Sequence, residues 1–102
     1  MKYAIGGLTR FSENPSIFKT MDYSVNQKTA ILDYMESFNP DSVAGYIDDC
    51  KTGKRVNQTN AGYNDGEFYW SDQDVYHVRK YNAAVSDEFI DHVMLNKEYS
   101  RV

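Results

Sequence analysis

Two histidines, His77 and His92, and one cysteine, Cys50, are the side chains of this chain best suited to nucleophilic or metal chemistry. A zinc site needs three or four converging ligands, usually with two of them close in sequence. His77 and His92 stand fifteen residues apart on separate predicted helices, and Cys50 falls on a predicted turn. No helical His pair brackets a Glu, so no metal site is expected. A Cys–His hydrolase would need an electropositive niche to lower the thiol pKa. Asp48 and Asp49 immediately precede Cys50 and push the other way, which makes an inert thiol the expectation. The carboxylate pairs Asp48-Asp49 and Asp72/Asp74 are of a kind common on acidic surfaces. Gly6-Gly7 belongs to neither a P-loop nor a dinucleotide fingerprint. Catalytic residues, cofactors and a small-molecule substrate are therefore not expected. A small enzyme using His77, His92 and the carboxylates is the alternative from another class.

Interface chemistry is better represented. Nine Tyr, five Phe and one Trp make up 15% of the chain, and Tyr and Trp concentrate at protein interfaces. The net charge is −4, which argues against direct nucleic-acid binding. Between residues 65 and 91, seven carboxylates face only Arg79 and Lys80, a balance of −5 that leaves the remainder at +1. Such a segment suits a basic protein partner.

These residues need a scaffold, and 102 residues suit one domain. A lone cysteine allows no internal disulfide, and the start of the chain offers neither a signal peptide nor a membrane span, so a cytoplasmic location is expected. Residues 2–5 read as a short strand, and Pro15 as the opening of a helical turn. Ser24 or Asn26 caps a helix whose apolar stripe is Ile31, Tyr34, Met35 and Phe38, ended by Asn39-Pro40. Residues 43–49 read as a strand with Val43, Gly45 and Ile47 on one face, followed by a turn at Lys51-Thr52-Gly53. The polar run 57–60 reads as loop. Asn64-Asp65-Gly66 then turns into residues 67–70, with Phe68 and Trp70 inward and Glu67 and Tyr69 outward. Ser71 and Asp74 form a capping pair for a helix reaching Tyr81, with Val75, Val78 and Tyr81 inward. Ser86 caps a last helix carrying Phe89, Ile90, Val93 and Met94, fraying from Lys97. Helices and strands are segregated, so the fold class is α+β: a small antiparallel sheet packed against helices in a single domain.

On that scaffold Glu67 and Tyr69 share an outward strand face, and Asp72 and Tyr76 share a helix face four residues apart. Together, with Asp65 at the edge, they form the expected partner-binding patch.

Three stretches between Val43 and Val93 carry a resemblance. They are Asp65-Gly66-x-Phe68-x-Trp70, then Val75-Tyr76-His77-Val78-x-Lys80-Tyr81-Asn82, and Glu88-Phe89-Ile90-x-His92-Val93. This pattern resembles small bacterial proteins found beside polymorphic toxins, including immunity proteins of contact-dependent inhibition systems. Where members carry a Leu and a Pro, this chain has Ala83-Ala84-Val85-Ser86. The resemblance implies inhibition of a cognate toxin domain, basic and often a nuclease, by occlusion of its active site. A phage-encoded inhibitor of a host defence nuclease would share the same size and charge. The matching positions are architectural, so no functional residue carries over.

Overall fold

The computed structural model describes residues 2–5 and 19–99. The helical turn expected at Pro15 lies outside them. Ser24 is the first firm signal: its hydroxyl accepts from the Gln27 N–H and opens helix α1, Val25–Glu36. The stripe points inward, with Ile31 and Met35 fully buried and Tyr34 and Phe38 packed against the core. The helix stops before the expected Asn39-Pro40. Ser37 closes it by turning its own N–H and hydroxyl onto the Tyr34 carbonyl.

Four strands form one sheet in the order β1-β4-β3-β2: β1 Lys2–Tyr3, β2 Ser42–Asp48, β3 Arg55–Asn64 and β4 Phe68–Ser71. The β2–β3 and β3–β4 pairs are antiparallel, whereas β1 lies parallel to β4. Two sequence expectations fail here for identifiable reasons. Val43 and Ile47 do not share an environment: Val43 is 60% exposed and Ile47 1%. A bulge between Val43 and Tyr46, with Gly45 at φ 72°, inserts a residue and breaks the alternation. Residues 57–60 are strand, not loop, because pairing with β2 carries β3 through them while Asn57, Gln58 and Thr59 stay exposed.

The Asn64-Asp65-Gly66 turn forms as read, with Gly66 at φ 95°. Beyond it Phe68 and Trp70 are buried among the helices. The Trp70 ring lies 5.4 Å from Phe38, 5.6 Å from Phe89 and 6.4 Å from Tyr63, and its indole N–H donates to the Met35 carbonyl. Helix α2, Asp72–Tyr81, begins with the complete Ser71/Asp74 capping box and ends at Asn82 in the left-handed region. Helix α3, Asp87–Tyr99, follows Ser86, whose hydroxyl accepts from the Phe89 N–H. The three helices thus gather around Phe68 and Trp70 in an α+β fold. The other sheet face carries Tyr69, whose ring meets Tyr3 edge-on at 5.7 Å.

Candidate functional site

The polar residues fall into two interior clusters and two outer surfaces. The first cluster ties α2 to the β2–β3 turn. Asp49 is 3% exposed; one of its oxygens accepts from the Lys51 and Thr52 amides at 2.9 and 3.0 Å. The other accepts from the hydroxyls of Tyr76 at 2.7 Å and Tyr81 at 2.6 Å, with the Lys80 ammonium 3.4 Å away. Burial alone would raise the Asp49 pKa, but the two phenols and two amides outweigh it and hold the carboxyl below the usual carboxylate range. The Tyr76 hydroxyl, with the nearby Asp49, raises Lys80 in turn.

One helical turn inward, the Gln73 amide grips the Asp48 backbone at both ends. Its oxygen accepts from the Asp48 N–H at 2.9 Å and its nitrogen donates to the Asp48 carbonyl at 2.6 Å. His77 is fully buried. Its Nε2 accepts from the Cys50 backbone N–H at 2.9 Å, so Nδ1 carries the proton and donates to the Gln73 carbonyl at 2.7 Å. Burial lowers the His77 pKa and keeps the ring neutral. The imidazole therefore orders the turn and does not activate the Cys50 thiol. That thiol is buried, and burial, with Asp49 and Asp48 behind it, pushes its pKa up. The thiol is thus internal, and both influences run against its activation.

The second cluster surrounds Asp65, whose carboxylate is 3% exposed. One oxygen accepts from the Glu67 and Phe68 amides at 2.9 and 2.7 Å. The other lies 2.5 Å from the Tyr34 hydroxyl and 2.8 Å from His92 Nε2, while His92 Nδ1 lies 3.0 Å from Glu67. Burial opposes ionisation of Asp65, yet Tyr34 and the amides hold its pKa below the ordinary value; Tyr34 is raised by burial and by Asp65. His77 and His92 are thus separate, and both ring nitrogens of each are engaged. Among the described residues no group of three or more His, Cys, Asp or Glu side chains is arranged to hold a metal ion.

The five residues expected to form one patch are dispersed. Asp65 is an internal acceptor, and Asp72 accepts from the Ala61 N–H at 3.0 Å and the Tyr63 hydroxyl at 2.9 Å. Tyr76 is half-buried with its hydroxyl on Asp49. Tyr69 sits on the sheet face opposite Phe68 and Trp70, beside Tyr3, and Glu67, 58% exposed, projects beside α3. The patch fails because turn and cap carboxylates, however acidic the sequence, are consumed by nearby amides and hydroxyls. Asp74 accepts from the Ser71 N–H at 3.0 Å, and burial lifts its pKa to about 7.

Surface charge consequently distributes differently from the sequence count. The exposed carboxylates of that segment are Glu67, Asp87, Glu88 and Asp91. The last three share the outer side of α3 with Met94 and Leu95, which are 37% and 53% exposed. The stripe is not evident in the sequence, where Met94 reads with Phe89, Ile90 and Val93 as one apolar set. At the end of α2 the ammonium groups of Lys51 and Lys80 lie 5.0 and 5.4 Å from the centre of the Tyr81 ring, while Arg79 pairs with Glu36 and Arg55 with Asp48. No protein-family model, curated protein or solved structure matches this chain.

Proposed function

We propose that this protein acts by binding another protein, and that the partner is a basic toxin domain whose active site it covers. The observation that carries this reading is the outer stripe of α3, where Asp87, Glu88 and Asp91 lead into exposed Met94 and Leu95. Glu88, Asp91 and Leu95 follow helical spacing along one side. A partner's Lys and Arg side chains would meet the carboxylates, and its apolar side chains would cover Met94 and Leu95, an arrangement of apolar anchors within a charged rim. The resemblance to proteins encoded beside polymorphic toxins supports inhibition as the outcome of binding. The engagement of both nitrogens of His77 and His92 favours binding over catalysis. Such a partner places the work in the cytoplasm, and no described helix is long and apolar enough to cross a membrane.

The test is co-expression with the product of the upstream gene, combined with binding kinetics on the purified pair. Asp87→Lys with Asp91→Lys should slow association at least tenfold at low salt, and Leu95→Ala should speed dissociation. Wild-type association should slow as salt rises, since steering charges are screened over about 8–10 Å. Unchanged protection by both variants, with folding intact, would refute the reading.

A further inference from the structure

A trough beside α2 is independent of the α3 stripe. It consists of two adjoining hollows of about 370 and 280 Å³ that share Gln58, Asp72, Val75 and Arg79. The larger hollow is mainly apolar, with Ile47 and Val75 in its lining, whereas the smaller is mainly polar, lined by Glu36, Asp72 and Arg79. The half-buried Tyr76 forms part of one wall, and the side chains of Arg79 and Lys80, 56% and 53% exposed, stand at the rim. The one carboxylate common to both hollows is Asp72, and its two oxygens are already taken by the Ala61 amide and the Tyr63 hydroxyl.

We infer that this trough binds a small organic anion, with a planar body on Ile47, Val75 and Tyr76 and a phosphate between Arg79 and Lys80. The larger hollow falls within the 300–1,000 Å³ typical of small-molecule sites, and apolar walls with few polar groups are their usual construction. Arg79 now pairs with Glu36 across the trough, both side chains being about half exposed. Exposed ion pairs of this kind contribute little, so a phosphate can replace Glu36 at small cost and gain the two-pronged guanidinium contact. Lys80 adds a second, point-like charge. Lys51 lies beside Lys80, their ammonium groups 5.0 and 5.4 Å from the centre of the Tyr81 ring, and the phosphate would take Lys80 from its 3.4 Å pairing with Asp49. A nucleoside monophosphate has the required size and the required pairing of ring and anion.

Isothermal titration at low salt with adenosine 5′-monophosphate, guanosine 5′-monophosphate, adenosine and inorganic phosphate tests the site. At least one nucleotide should bind with a Kd of about 1 mM or tighter, and at least tenfold more tightly than adenosine or phosphate. Arg79→Ala should weaken it about tenfold, while circular dichroism shows the fold intact. Val75→Phe, which fills the larger hollow, should abolish it. Binding of phosphate as tight as that of the nucleotides would overturn the inference, since the apolar lining would then be idle. So would nucleotide binding indifferent to Arg79→Ala, or no binding by either nucleotide.

Discussion

Replacing Asp49 with Ala removes the acceptor on which α2 and the β2–β3 turn both depend. Four hydrogen bonds end on this carboxylate, two from backbone amides and two from phenols, in a site only 3% exposed. Bonds to a charged acceptor contribute about 1.5–3 kcal/mol each, but the exposed turn amides and half-buried tyrosines regain water once the carboxylate is gone. After that discount the net loss should be about 3 kcal/mol, set against a total of about 5–15 for a domain of this kind. The lone ammonium of Lys80 is left out of this figure because its pairing is largely solvated. Urea denaturation followed through the fluorescence of Trp70, the single and fully buried tryptophan, reads the loss directly. Asp49→Asn, which keeps an acceptor for the turn amides, should lose about half as much. The pH dependence has a definite sign. A folded pKa below the unfolded value of about 3.9 means stability that is full above pH 4 and lost as pH falls further. The wild type should therefore weaken more steeply below pH 4 than Asp49→Asn. A loss under about 0.5 kcal/mol for Asp49→Ala, the range of ordinary surface changes, would refute this account of the turn.

Three further outcomes follow from the same packing. His77 should keep its proton on Nδ1 and titrate below the ordinary value of about 6.5, costing stability as pH falls below that value; nitrogen chemical shifts report tautomer and protonation, and a ring that titrates at or above 6.5 would contradict the buried acceptor role. Alkylation of Cys50 by iodoacetamide at pH 8 should run at least tenfold slower than in a free cysteine, and labelling at the free rate would show the thiol to be accessible. Gly62→Ala would place a methyl 2.9 Å from both the Ser42 hydroxyl and the Tyr69 hydroxyl, and thermal unfolding should show a loss of about 1–2 kcal/mol.

Much of the fold was legible from local chemistry. Ser24, the Ser71/Asp74 pair and Ser86 mark helix starts because each supplies an acceptor to amides that the helix itself leaves unpaired. Asn64-Asp65-Gly66 marks its turn because Gly66 adopts a positive φ and Asp65 accepts from the amides that follow. The Gly45 bulge was illegible, since alternation counts residues and cannot detect one that pairing leaves over. The strand through residues 57–60 was hidden for a related reason: its polar side chains are outward, and β2 supplies the reason to be extended.

The candidate surfaces divide along the same line. Sequence alone determined which residues carry charge, which aromatics could pack, and that no ligand spacing joins Cys50, His77 and His92. Only the tertiary structure decided which carboxylates face solvent. Asp49, Asp65, Asp72 and Asp74 meet amides and hydroxyls from distant or neighbouring elements and are spent in holding the chain together. Asp87, Glu88 and Asp91 stay exposed because α3 turns Phe89 and Val93 to the core and its acidic side outward. A carboxylate's charge is a property of its residue type, but its availability depends on whether folding brings donors within hydrogen-bond reach.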